Sequence, residues 1–349
     1  MAGNFVQLHN HTHYSLLDGA SKVPDLVKRV KELGMPAVGI TDHGNMHGAY
    51  ELWRAAVDSG VKPIIGIEAY VTPETARQDK TRVSWDTNWT PVPGHARNPD
   101  DVSGGGLITH LTMWAENDEG LVNLIKASSV ANLEGRVMRY PRMDKEVLST
   151  YSKGVIASSG CPSGIIQTRL RLGQFDEALR AAGEFQDIFG KDNFYIELMD
   201  HGLSIESKVT GDLLTIAKKL GAPLLATNDS HYVMEADKDA QDAMLCINSG
   251  ATLDDPNRFK FEGSGYYIKS AEEMRELFKD HPDACDNTLE IAERCNVIFD
   301  DHEDGAFMPQ FDCPEGWDET SLFLKKVEEG LEKRYDGNPP LNVLKQADY

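Results

Sequence analysis

The sequence predicts an α/β fold, and within that class a β/α barrel of seven strands, from three observations. Seven short apolar runs rich in β-branched residues alternate with segments of helical spacing, the pattern of strand–helix–strand units with parallel pairing. Histidine, aspartate, glutamate or cysteine stands at or near the end of six of these runs. At 349 residues, 40% hydrophobic and 26% charged, the chain holds enough apolar material for a sizeable core. Alternation alone suits an open doubly wound sheet equally well. The barrel is preferred because its C-terminal strand ends share one mouth, where catalytic side chains from several strands meet.

The strand runs cover residues 5–11, 37–42, 64–71, 107–114, 155–159, 194–199 and 224–229. After the first run Ser21 reads as an N-cap with Pro24 in the first turn, and Val23, Leu26, Val27, Val30 and Leu33 form an apolar face ending at Gly34. Segments 49–58, 121–133, 176–189 and 205–220 have the same spacing. Residues 72–106 are rich in Pro, Asn, Asp, Gly and Trp and read as a long loop or small excursion, a feature that usually belongs to a functional face or is disordered. Residues 253–267 are a turn-rich connector; 271–278 and 284–297 are helical, the pattern weakens after residue 300, and 321–335 is another amphipathic helix. The final GNPPLNVLKQADY does not read as a natural domain end.

The chemistry-bearing residues follow the strands. His9 and His11 are two apart in a strand and so project to one face; Asp18 and His13 follow them. The second run ends in Thr41-Asp42-His43-Gly44. The third, PIIGIEAYV, carries Glu68 among apolar residues, where a carboxylate is costly unless paired or metal-bound. His110 sits in the fourth, Cys161 follows the fifth, and Asp229 and His231 repeat the two-residue spacing after the seventh. Each is ordinary alone; together they exceed the four ligands usual for one zinc and fit two or three ions with a bridging carboxylate. Imidazole and carboxylate suit zinc, manganese or iron, and one thiolate favours zinc. His47, His95, His201, His281 and His302 read as surface or loop histidines.

A net charge of -21 makes broad electrostatic binding of DNA by this chain alone a poor expectation, although metal ions supply local positive charge to a phosphate. Clusters such as Arg136, Arg139 and Arg142, Arg169 and Arg171, and Arg258 and Lys260 read as solvated faces. Five scattered cysteines, no apolar membrane span and no leader pattern point to a cytoplasmic protein without disulfides or a membrane.

LHNHTHYSLLDGA, TDHGNMHGA, KPIIGIEAYV, THLT, SGCPSG and ATNDSHYV resemble the polymerase-and-histidinol-phosphatase (PHP) domain, and most closely its version at the N-terminus of bacterial replicative DNA polymerase III alpha subunits. The resemblance covers nearly the whole chain in motif order. It implies a distorted seven-stranded, TIM-like barrel over residues 1–300, followed by a connector and the start of a polymerase palm over 301–349, so that the chain would be an N-terminal fragment unable to polymerise. It implies a centre of three divalent ions (zinc, manganese or both, with iron possible): His9, His11, Glu68 and Asp229 on the first, Glu68 bridging to a second on His110 and Cys161, and Asp18, His43 and His231 on the third. Asp42 and Asn228 are candidate supports for these ligands. Gln7 and His13 stand where relatives often carry His and an acidic residue. The implied activity is 3′–5′ exonuclease proofreading of a primer-template, with Asp229 and His231 catalytic and His13 a candidate proton donor. The implied partners are the rest of the polymerase chain, the sliding clamp and other replisome subunits. A metal-stapled structural module and a phosphomonoesterase are the competing readings.

Overall fold

The computed structural model describes residues 4–92, 97–263, 265–299 and 309–347. The chain separates into two compact units, Met1–Phe299 and Asp300–Tyr349.

The first unit is built on a curled sheet of β1 (Ala37–Ile40), β2 (Lys62–Val71), β3 (Thr109–Ala115), β4 (Arg142–Met143), β5 (Val155–Ser158), β6 (Phe194–Leu198) and β7 (Leu224–Ala226). Their order is β1-β2-β3-β5-β6-β7, with β4 paired to β2. Pairing is not all parallel as expected: β3 runs antiparallel to both β2 and β5. Val71 at the end of β2 pairs with Thr109 at the start of β3, so residues 72–108 return the chain at the same end of the sheet, which only an antiparallel pair allows. The start of β3, not its end, therefore lies beside the C-terminal end of β2.

Residues 5–11 are not a continuous strand. They join the sheet through single bridges, Gln7 to Val38 and Asn10 to Ser230. Hydrogen bonds from Gly39 N to Gln7 O (2.8 Å) and from His11 N to Ser230 O (2.8 Å) seat the segment between β1 and the chain just beyond β7, closing the curl. Gly39 permits this approach, since a Cβ there would lie 2.4 Å from Leu8 O.

Val6, Leu8, Ala37, Ile64, Trp114, Ile156, Tyr195 and Leu225 form one buried layer, with a residue from every strand but β4 around the curl. It is a filled interior, not a pore. Helix α11 (Pro282–Arg294) adds Ile291 and Ala292 to that layer. It is anchored by Lys62 Nζ to Glu293 O and Arg294 Nη1 to Asp192 O, so it covers the end away from the C-terminal strand tips.

The outer helices bury apolar stripes against the sheet. In α1 (Val23–Glu32) Val23, Leu26, Val27 and Val30 are buried. Its N-cap is Lys22 rather than Ser21, because the Ser21 backbone is bridged to Thr12 and accepts from His13 N at 2.9 Å. Helices α2 (Ala49–Ser59), α4 (Asp118–Glu134), α7 (Phe175–Phe189), α8 (Ser204–Leu220) and α10 (Ala271–Leu277) lie where the spacing places helices. Unexpected are the single turn α3 (Ser103–Gly106), α5 (Lys145–Thr150), α6 (Ile165–Arg171) and α9 (Lys238–Ser249). Helix α6 is buried on all sides and so presents no periodic stripe to read.

The described parts of the long loop are held down. The Asp101 carboxylate accepts from Ser84 Oγ (2.6 Å) and Trp85 N (3.1 Å), and the Arg169 guanidinium lies 3.8 Å from the centre of the Trp85 ring. The second unit contains α12 (Glu319–Tyr335), capped by Asp318 accepting from Ser321 N, and α13 (Leu341–Ala347). Among the described residues no helix is long and apolar enough to cross a membrane.

Candidate metal centre

Glu68 is the hub of the strand mouth. It lies on β2 three residues before the strand ends, and its carboxylate is 1% exposed. His43 Nδ1 is 2.6 Å from Oε2, His110 Nδ1 is 3.1 Å from Oε1, and His9 Nε2 and His11 Nε2 are 3.4 and 3.6 Å away. Asp229 Oδ1 faces the same two nitrogens, at 3.3 Å from His9 and 3.0 Å from His11. Around this centre stand Asp18, whose Oδ2 is 3.1 Å from His43 Nε2, Cys161, whose Sγ is 3.3 Å from His110 Nδ1, and His231, whose ring stacks on His11 at 4.3 Å. All nine residues expected as ligands thus come together. The reversed strand β3 brings His110 to the mouth at its second residue.

Behind the candidate ligands, fixed acceptors set the tautomers. His9 Nδ1 donates to Glu197 Oε1 at 2.7 Å, and Glu197 also accepts from Ser158 Oγ and Thr227 Oγ1, both at 2.5 Å. Ser15 Oγ donates to Asp42 Oδ1 (2.6 Å) and accepts from His11 Nδ1 (3.0 Å). His231 Nδ1 donates to the Asp229 carbonyl at 2.7 Å. Each of these three rings therefore holds a proton on Nδ1 and turns Nε2 inward, where it offers a lone pair whenever the ring is neutral. Asp42 thus acts through Ser15, as a support for His11. Asn228 does something else: its Nδ2 donates to Gly265 O and Tyr267 O and its Oδ1 accepts from Lys269 Nζ, tying down residues 265–269. That brace holds the turn in which Asp229 takes a left-handed backbone, with φ of 43°, a strain that clusters at functional sites.

Electrostatics divide the histidines. Burial disfavours charge on His9 and His43, yet neighbouring groups (Glu197 and Asp229 for His9; Tyr70 and Glu68 for His43) hold their pKa values well above the ordinary imidazole range. His11, buried beside His43 and His231, falls to about 3. Despite their burial, the carboxyls stay ionised: Glu68 is held low by His110 and His43, and Asp229 by His9 and His231, while Asp18 falls to about 2 beside His43. Burial and the Glu68 charge push the Cys161 thiol up; a metal held there would reverse that sign and favour the thiolate.

The donor set fits divalent ions. His9 Nε2, His11 Nε2, His43 Nδ1, Asp18 Oδ1, Asp229 Oδ1 and both oxygens of Glu68 are buried without a hydrogen bond, a costly arrangement unless something else satisfies them. Among the described residues, candidate ligand atoms gather in three overlapping trios: His9, His11 and Asp229; His43, Glu68 and His110; and His11, His43 and His231.

Not every histidine reading holds. His201, expected at the surface, has a side chain 1% exposed, bonded to Glu206 (2.6 Å) and to Asn228 O (2.9 Å), because it backs the turn that carries Asp229. His47 is exposed and His281 precedes α11; His95 and His302 lie outside the described residues. The His13 ring packs on Tyr14 and lies 4.0 Å from Glu51. Sequence reasoning passes over Glu197 and Ser15. Glu197 carries the signal that marks Glu68, an acid inside an apolar strand (FYIEL); Ser15, in a turn, carries none.

The model of the PHP domain matches residues 7–201, more than half of the chain. The chain belongs to the PHP domain family. Over 347 residues this PHP chain is 50% identical to the DNA polymerase III subunit alpha of Mycobacterium leprae and 49% identical to that of Mycobacterium tuberculosis. The match to that of Borreliella burgdorferi is 39% over 335 residues. These alignments take in 99%, 99% and 95% of this chain but only 29%, 29% and 27% of the relatives' own lengths. Among solved structures, a two-domain Bacteroides vulgatus protein named as containing a predicted PHP-like metal-dependent phosphoesterase aligns with 84% of this chain and 69% of its own, at 11% identity and a TM-score of 0.36.

Proposed function

We propose that this PHP domain is a metal-dependent phosphodiesterase that removes nucleotides from the 3′ end of DNA, the 3′–5′ proofreading exonuclease of a DNA polymerase III alpha-type protein. The observation that carries the reading is the ring of nine ligand-type side chains around Glu68, with buried, unsatisfied atoms facing one another. The 50% identity to a polymerase alpha subunit favours DNA as substrate over a small phosphate ester. On the same reading the residues after 300 lead into a palm, the partners are the primer-template, the remaining polymerase chain, the clamp and other replisome subunits, and the setting is the cytoplasm.

His9, His11, Glu68 and Asp229 would hold one ion, Glu68, His110 and Cys161 a second, and Asp18, His43 and His231 a third, zinc or manganese in character. Bound there, such ions activate water near neutral pH and stabilise the charge that develops on the phosphoryl oxygens. The chain's own residues prepare that function. Glu197, Ser15 and the Asp229 carbonyl keep the protons of His9, His11 and His231 on Nδ1, outside the cluster. Asp18 and His231 line the cleft that a phosphodiester would enter. A part for His13 in protonating the leaving oxygen rests on its place in the chain, two residues beyond His11.

The test is release of 3′ nucleotides from a mismatched primer-template by the chain, with manganese or zinc added and bound metal recorded. Asp229→Asn is the informative variant, because asparagine tolerates the left-handed backbone while removing the charge. Metal-dependent release that disappears in Asp229→Asn supports the nuclease. About three ions bound per chain with no release leaves a metal-stapled scaffold, and hydrolysis confined to small monoesters identifies a phosphomonoesterase.

A further inference from the structure

We infer that Phe259, Phe261 and Tyr266, which wall one side of the metal cluster, form a stacking subsite for the 3′-terminal base of a single DNA strand; the inference rests on the nuclease reading above. The cluster opens into a cleft of about 350 Å³ whose floor includes Asp18, His110, Asp229 and His231 and whose wall includes the three aromatic residues and Lys260. The aromatic rings are continuous with the ligands. Phe261 meets His231 edge-on at 4.6 Å and Tyr266 at 4.8 Å, and Phe259 follows at 6.1 Å, 59% exposed at the outer end. Tyr266 is backed by the buried His201 ring at 4.1 Å, so the inner part of the wall is rigid.

A phosphate group needs none of this apolar surface, whereas a nucleobase does. Every base has a flat π face, and stacking on an aromatic side chain is indifferent to sequence, as an exonuclease acting on any 3′ end requires. Stacking is also a neutral interaction, which matters in a chain of net charge -21 that repels a polyanion over most of its surface. The wall also carries charge of both signs, Glu262 beside Lys260. Lys260 sits between the two phenylalanines, and a neighbouring groove that shares Asp18 and His43 with the cleft is lined by Arg136 and Arg139. To reach the wall a terminal base must leave its helix, which costs least when it is mispaired; the subsite therefore favours mismatched ends.

The test uses the chain with a single-stranded oligonucleotide whose 3′-terminal base is 2-aminopurine, a fluorophore that dims on stacking, in the presence of calcium so that the end stays intact. Wild type is expected to quench the terminal base. Phe261→Ala and Phe259→Ala are expected to abolish most of the quenching and to weaken binding roughly tenfold, and Phe261→Trp to restore both. Phe259→Ala guards against indirect damage, because Phe259 packs on Phe261 rather than on a ligand. An oligonucleotide with an abasic 3′ end is expected to bind all four proteins equally. Equal quenching by wild type and both alanine variants, or equal loss on base-bearing and abasic ends, overturns the subsite. Quenching that follows this pattern without nucleotide release in manganese would retain the subsite and defeat the nuclease reading instead.

Discussion

Glu197 shows how much of the proposed metal site lies one bond behind its candidate ligands. It is buried and accepts three hydrogen bonds, one of them from His9 Nδ1. Replacing Glu197 with glutamine keeps the shape but substitutes a neutral amide for the carboxylate that orients His9 and raises its basicity. Removing such partners typically costs 10- to 100-fold in metal affinity. Glu197→Gln is therefore expected to weaken binding of one ion per chain by about 10- to 100-fold, with the others retained. Competition with a chelator of known affinity, read as ions lost per chain, measures this; uniform retention of all ions would show that His9 is oriented without the carboxylate. At this scale the sequence is readable where chemistry and burial conflict. An acid in PIIGIEAYV or an HxH on a strand stands out because an apolar strand offers it no ordinary partner. Ser15 and His201 do not stand out, since serine in a turn and histidine after a strand are commonplace, and only the folded chain brings Asp42 or Asn228 to them.

Elements were legible wherever a stripe repeats and illegible wherever burial is complete or pairing is decided at a distance. The apolar face of α1 is plain in the sequence, whereas α6, buried all round, hides in it. The direction of β3 cannot be read from residues 107–114 alone, because it is set by the loop that returns the chain to the same end of the sheet. That loop depends on β4, two residues too short for any pattern. Arg142 in β4 is fully buried and donates to the carbonyls of Gly135, Leu107, Arg77 and Asp79. It belongs to a group that reads as a solvated basic face, and the structure makes it a brace instead. Arg142→Met leaves those carbonyls without a donor, at a cost of about 1–3 kcal/mol for each that water cannot reach. The expected result is a destabilisation of about 3 kcal/mol or more in urea unfolding, with new proteolytic cuts concentrated in residues 72–106. Cuts spread evenly over the chain would mean that Arg142 supports the whole sheet rather than this loop.

At the scale of the molecule, the cluster places ionised carboxylates and competing imidazoles in one buried mouth, so folding, protons and metal are linked. His9 and His43 have folded pKa values raised well above 6.5. In the metal-free chain their protonation therefore stabilises the fold fully below about pH 6.5, and that contribution is lost as pH rises through the raised values. His11, near 3, is neutral throughout this window, and Asp18, near 2, contributes above about pH 4 and loses its contribution only as pH falls through 2. Metal binding has the opposite sign, because an ion must displace the protons on His9 and His43. Chelation is thus expected to lower the melting temperature more at pH 8 than at pH 6. For an ion present at a hundredfold over its dissociation constant the stabilisation is about 2.7 kcal/mol per site. At about 2–4 °C per kcal/mol this amounts to several degrees. Calorimetry of metal uptake at pH 7 in two buffers of different ionisation enthalpy should also show net proton release. A larger melting shift at pH 6 than at pH 8, or uptake without proton release, would mean that the histidines are neutral before the ions arrive and that the carboxylates around them are balanced in some other way.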